Sequence, residues 1–267
     1  VQCLVNPGDE VIIPTPFWVS YKEFVRLAEG KCVFVKTKLE NDFKMTPEQL
    51  EAAITPRTKL IMFSSPSNPT GMLYSKEELK GIAEVVARHE NLFVMADEIY
   101  EHINFVGKHE SIAQFPEVKD RVITVNGVAK GFAMTGWRIG FIAAPTVIAK
   151  AANKLQGQVT SATCSIAQKA TVCAMLMDPK TSKDIIDMRN IFMQRRDMVY
   201  KLLCDIPGLK VRLPQGAFYF FPDVSSYYGK SYNGTKIENS TDMAFYLLNE
   251  GGVATVMGSA FGDDSCI

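Results

Sequence analysis

Lys130 stands in the segment NGVAKGFAMTGWRIG, Asn126 to Gly140, between two strand-like apolar runs. Small residues and glycines flank it, so a ligand is expected to meet its amine closely. Arg138 lies eight residues further on, at the start of the run RIGFIAA. An amine that attacks a carbonyl and a guanidinium that holds an anion together suit the carbonyl of a phosphorylated molecule. Other reactive side chains follow other apolar runs. Trp18 comes after EVIIP, Asn68 lies in SNPTG after KLIMFSS, and Asp97 and Tyr100 come at the end of LFVMA. In an open α/β sheet, ligands bind beyond the carboxyl ends of the strands. An aromatic plane, an amide, a carboxylate, a phenol, an amine and a guanidinium are therefore expected on one edge.

Each of these residues has a plainer reading. A lone lysine is usually a solvated side chain. Asn-Pro-Thr-Gly is most often a turn, and Arg138 suits a surface ion pair of little energetic weight. The shared position at strand ends, in order, favours the joint reading. The set fits pyridoxal phosphate. Lys130 would condense with the aldehyde, and Asp97 would keep the ring nitrogen protonated, making the ring an electron sink. Tyr100 and Asn68 would hydrogen-bond the ring oxygen. Arg138 would pair with the phosphate through its planar fork, and Trp18 would stack on the ring. The expected catalytic residues are Lys130, Asp97 and Tyr100. The expected cofactor ligands are Trp18, Asn68, Asp97, Tyr100, Lys130 and Arg138.

The elements that must position these groups alternate from the start. Strands are expected at Glu10 to Pro14, Lys31 to Lys36, Lys59 to Ser65, Leu92 to Asp97, Arg121 to Val125 and Ile139 to Ala144. An amphipathic stretch runs from Trp18 to Glu29. Thr46 with Gln49, and Ser75 with Glu78, have the spacing of capping boxes that open helices; Pro47 suits the first helical position. Continuous apolar strands between helices imply an α/β fold, a mostly parallel sheet covered by helices on both faces. The stretch from Val147 to Leu203 reads as helical, with a break at Pro179. Strands are expected next at Lys210 to Leu213, Gly216 to Pro222 and Gly252 to Val256, with a polar loop at Ser225 to Asn239 and a helix at Thr241 to Glu250. This tail reads as a partial α+β small domain. The expected division is 1–182 for a large cofactor-binding domain and 183–267 for the small domain, both incomplete. The chain starts at Val1 without methionine, and SAFGDDSCI stops as an apolar run begins, so both termini are expected to be missing.

The 267 residues are 47% apolar and 22% charged, the balance of a globular protein. With 29 basic and 29 acidic side chains, nothing steers the molecule to nucleic acid or an anionic membrane. No run approaches the ~18 apolar residues of a membrane-spanning helix. The six scattered cysteines read as reduced thiols of a cytoplasmic protein. His102 and His109 lie seven apart, a weak metal signal, and no metal is expected.

SNPTG, DEIY and the lysine and arginine of NGVAKGFAMTGWRIG resemble the class I/II aminotransferases, fold-type-I pyridoxal phosphate enzymes. FAMTGWRIG is most similar to the bacterial aspartate aminotransferase subgroup, and QVTSATCSIAQKA and QGAFYFFPDVS resemble later segments of it. The resemblance covers essentially the whole chain. It implies ping-pong transamination between an amino acid, aspartate or glutamate in first place, and a 2-oxo acid, in a homodimer. It assigns Lys130 as the cofactor-binding lysine, and the other five residues as above, with a cis Asn68–Pro69 bond. The chain departs from the pattern at Gly127 and Ala129, where many relatives carry serines for the phosphate. The glycine-rich phosphate loop, the α-carboxylate arginine and the amino-terminal arm are expected outside this chain. Two readings stay open beside transamination. One is another enzyme of the same fold, such as a carbon–sulfur β-lyase or a cyclopropane-forming synthase. The other is a non-catalytic aminotransferase-like sensor domain. A nucleotide-binding protein is disfavoured because neither GxGxxG nor GxxxxGK[ST] occurs.

Overall fold

The computed structural model describes residues 1–267. Six strands form one sheet: β1 (Glu10–Thr15), β2 (Lys31–Lys36), β3 (Thr58–Ser64), β4 (Phe93–Asp97), β5 (Val122–Gly127) and β6 (Gly140–Ala143). Their order across the sheet is β2-β1-β3-β4-β5-β6. The first five run parallel and β6 is antiparallel to β5. The helices are α1 (Ser20–Leu27), α2 (Pro47–Ala53), α3 (Lys76–Ala87), α4 (Thr146–Val159), α5 (Ser165–Met175), α6 (Lys183–Cys204) and α7 (Ser240–Asn249). The mostly parallel sheet flanked by helices is the architecture expected from the sequence.

Strand alternation explains why both faces of the sheet are covered. Ile12, Ile61, Phe63, Val94 and Ala96 point to one face and pack with Leu50 of α2 and Leu79, Ile82 and Val86 of α3. Val11, Ile13, Leu60 and Met62 point to the other and pack with Tyr21 and Val25 of α1. Burying each large apolar side chain of this kind contributes about 1.5–3 kcal/mol. Both expected capping boxes are present. The Thr46 and Ser75 side chains accept from the Gln49 and Glu78 backbone N–H groups, and the Gln49 and Glu78 side chains accept in return.

The tail corrects three expectations. Lys210 to Leu213 forms only a single bridge, Lys210 to Asp223. The aromatic run Gly216 to Pro222 is not a strand: Ala217 has φ 56°, which breaks extended geometry, and only Gly216 bridges, to Asn104. Gly252 to Val256 is irregular. Gly252 has φ 64° and the Val253 N–H returns to the Leu247 carbonyl at the end of α7, so this run serves the helix terminus. In each case the β-forming side chains have no neighbouring ladder to fill, and strand preference depends on such neighbours. The polar loop contains a short hairpin, β7 (Ser231–Tyr232) with β8 (Thr235–Lys236). Pro179 falls between α5 and α6 as expected. The six cysteines are unpaired. No helix is long and apolar enough to cross a membrane.

Candidate active site

The sheet register brings Asp97 and Lys130 towards one another. Asp97 is the last residue of β4 and pairs in register with Val125 of β5. Lys130 follows β5 by three residues. Asp97 is two residues beyond Met95, so it shares the sheet face that packs on α1. There its Oδ2 accepts a hydrogen bond of 3.0 Å from the Tyr21 hydroxyl, and its Oδ1 accepts one of 3.2 Å from the Ile99 backbone N–H. Burial raises the pKa of Asp97 above the ordinary carboxylate value; these two donors oppose the shift, and the Glu98 charge adds to it. The carboxylate is thus buried without a cationic partner.

Tyr100 lies at the junction of the set. Its hydroxyl is 2.5 Å from that of Tyr219, and Asn68 and Asp97 both act on it. Burial first, and then the Tyr219 contact, push its ionisation well above the ordinary phenol value, so it is a neutral donor at physiological pH. The Lys130 Nζ stands 5.9 Å from the Tyr100 ring centroid and 5.5 Å from that of Phe218. The amine is half-buried among aromatic faces. Asn68 heads a cis bond to Pro69, as the resemblance implied.

Trp18 stands three residues before Tyr21 and meets it edge-on at 5.7 Å. It lines two cavities. One, of about 250 Å³, also contains Tyr21 and Asp97. The other, of about 990 Å³, also contains Asn68 and Tyr219. Arg138 precedes β6, whose Gly140 pairs with Gly127. That antiparallel return puts it beyond the end of β5, the end that leads to Lys130. It is exposed, sits at φ 54°, and donates to the Thr135 carbonyl at 2.8 Å.

The glycines beside Lys130 answer to packing more than to ligand access. A Cβ on Gly127 would come within 2.9 Å of the Ile139 carbonyl oxygen, and one on Gly131 within 2.6 Å of the His102 ring. Tyr21, Phe218 and Tyr219 were not among the expected site residues. Tyr21 was legible in the i, i+3 spacing from Trp18. Tyr219 lay in a run read as a strand, and nothing in its spacing pointed to Tyr100.

A second polar cluster lies just after Asp97. Ligand atoms of Glu98, Glu101 and His109 fall within 4.8 Å of one another. Each carboxylate already has protein partners: Glu98 meets His109 at 2.9 Å and the Ser111 hydroxyl at 2.6 Å, and Glu101 accepts from the Asn126 amide at 2.8 Å. This network anchors the segment behind the site, with the buried His109 Nδ1 left without a partner.

The class I and II aminotransferase family matches residues 1–267. A bifunctional aspartate aminotransferase and glutamate/aspartate-prephenate aminotransferase of Petunia hybrida is 47% identical over all of this chain and 56% of its own length. An aspartate/prephenate aminotransferase of Cereibacter sphaeroides is 48% identical over 97% of this chain and 64% of its own. The crystal structure of the Rhizobium meliloti aspartate aminotransferase superposes with a TM-score of 0.94 at 42% identity, covering 99% of this chain and 66% of that one. The chain therefore spans a little over half to two thirds of the length of these relatives. Motifs, sheet order and overall similarity agree, and the chain belongs to the class I and II aminotransferases.

Proposed function

We propose that the protein transfers an amino group between an amino acid, aspartate or glutamate in first place, and a 2-oxo acid, with pyridoxal phosphate as its cofactor. The observation that carries this reading is the grouping around Tyr100, which interacts with Asn68, Asp97 and Tyr219 and has the Lys130 amine against its ring. The names of the similar proteins support the choice of substrates.

The residues present fit the cofactor. Asp97 offers a buried carboxylate with no cation beside it, the partner a protonated ring nitrogen needs. Lys130 makes no ion pair that would occupy its amine. When bound, pyridoxal phosphate supplies an electron sink for the carbanion left by removal of the substrate α-proton. Lys130 would hold the cofactor and would serve as the base that takes the substrate α-proton and the acid that returns it. Asp97 would keep the ring nitrogen charged. Tyr100 and Asn68 would donate hydrogen bonds to the ring oxygen, and Trp18 would cover one face. Arg138 would pair with the phosphate through its guanidinium.

A homodimer belongs to the same proposal, as does a reducing compartment, which the six unpaired cysteines support. The helix break at Pro179 supports a division into 1–182 and 183–267. The test of the reaction is product analysis with aspartate and 2-oxoglutarate. Glutamate and oxaloacetate are expected, in amounts that vanish in Lys130→Ala. No glutamate from this pair, together with thiol, ammonia and pyruvate released from an S-alkyl cysteine without an oxo acid, would overturn the reading in favour of a β-lyase.

A further inference from the structure

Asp97 has only two hydrogen-bond donors, and one of them is a side chain from a different element. The Tyr21 hydroxyl reaches it from α1 across 76 residues of sequence, at 3.0 Å. Tyr21 is among the largest fully buried side chains of the protein, 2% exposed and packed against Val11, Ile13 and Met62. Its position is thus fixed by the core rather than by the hydrogen bond. Ser64, at the end of β3, and Tyr100 also act on its hydroxyl. Burial and the adjacent carboxylate keep the phenol from ionising, so it remains a donor at every working pH.

We propose that Tyr21 is a positioning residue for Asp97: it fixes the direction of the carboxylate and favours its charged form, ready to face a protonated ring nitrogen. The inference rests on the functional reading above. The chemistry is that of a preorganised buried ion. The Ile99 N–H fixes Oδ1 from the backbone. Without a donor on Oδ2, the carboxylate would meet burial and the neighbouring Glu98 charge with one hydrogen bond, and its protonated form would gain. A protonated Asp97 cannot stabilise a cation. The same turn that carries Tyr21 carries Trp18, in edge contact with it. One short helix start therefore supplies both the aromatic cover and the support of the acid. The titratable groups around the carboxylate are Tyr21 from α1, Glu98 and Tyr100 from the segment after β4, and the Val1 amino group, whose residue lines the same cavity.

The experiment compares the unmodified protein with Tyr21→Phe, Asp97→Asn and the double variant, each titrated with pyridoxal phosphate. Phenylalanine keeps the ring in the core, so melting of the cofactor-free Tyr21→Phe protein checks folding. Cofactor affinity is expected to fall on the order of ten- to a hundredfold in Tyr21→Phe, the range for one hydrogen bond to a buried charge. The acid limb of the visible absorbance of the bound cofactor is expected to move to higher pH. In the Asp97→Asn background, Tyr21→Phe is expected to add little, because the two act through one bond. Unchanged affinity and an unmoved acid limb in Tyr21→Phe would overturn the inference, as would fully additive losses in the double variant. If the unmodified protein bound no cofactor, the functional reading itself would fail first.

Discussion

Replacing Asp97 by asparagine separates stability from function at this site. The side chain is 9% exposed, and burial raises its ionisation above the ordinary 3.8. Such a carboxylate binds its proton more tightly when folded than when unfolded, so stability falls as pH rises through the window from 3.8 upwards. Above that window the cofactor-free protein holds a buried charge met only by the Tyr21 hydroxyl and the Ile99 N–H. Asparagine has the same shape. Its carbonyl can accept from Ile99, and its amide can donate to the Tyr21 oxygen. Cofactor-free Asp97→Asn is therefore expected to be more stable near neutral pH by about 1 kcal/mol, or about 2–4 °C in melting temperature. The gain should shrink as pH falls through that window and vanish well below 3.8, where Asp97 is protonated in both states. Pyridoxal phosphate reverses the order. At a hundred times its dissociation constant it adds about 2.7 kcal/mol to the unmodified protein, and far less to a variant with no charge to offer the ring nitrogen. Calorimetric melts with and without cofactor, at both pH values, make the assay. A destabilised cofactor-free variant, or equal stabilisation of both proteins by the cofactor, would refute the reasoning.

Three further outcomes are expected. Ser75→Ala removes one half of the capping box of α3 and should cost about 1 kcal/mol, read as a lower denaturation midpoint with unchanged slope. Gly216→Ala places a Cβ within 2.7 Å of the Ile103 carbonyl oxygen and 2.9 Å of Leu73 and Pro66, and should destabilise by about 1–3 kcal/mol in the same measurement. Arg138→Ala should weaken pyridoxal phosphate much more than it weakens pyridoxal, since only the phosphate loses its partner; equal losses in a binding titration would remove Arg138 from that role.

The sheet was legible because its strands are long apolar runs whose two faces are both buried, a pattern with little local ambiguity. Helices α2 and α3 announced themselves through capping pairs that form as the spacing requires. The aromatic run around Tyr219 misled because its residues are apolar for contact with Tyr100 and Phe192, not for a ladder. Ala217 in the left-handed region breaks it in a way no propensity announces. The positions of Asn68, Asp97 and Lys130 at or just beyond strand ends were legible. Tyr21 and Tyr219 reach the site across 76 and 119 residues, and only the folded chain shows such pairings. The glycines around Lys130 were read as room for a ligand, whereas they admit the backbone of Ile139 and the ring of His102.

The amine of Lys130 is the centre of the account. The direct measurement is to mix the protein with pyridoxal phosphate, reduce the complex with borohydride, digest it and locate the added mass by peptide mass spectrometry. One stoichiometric label on Lys130, displaced by prior addition of aspartate, is the predicted result. A label spread over the surface lysines, or held by another single lysine, would contradict it.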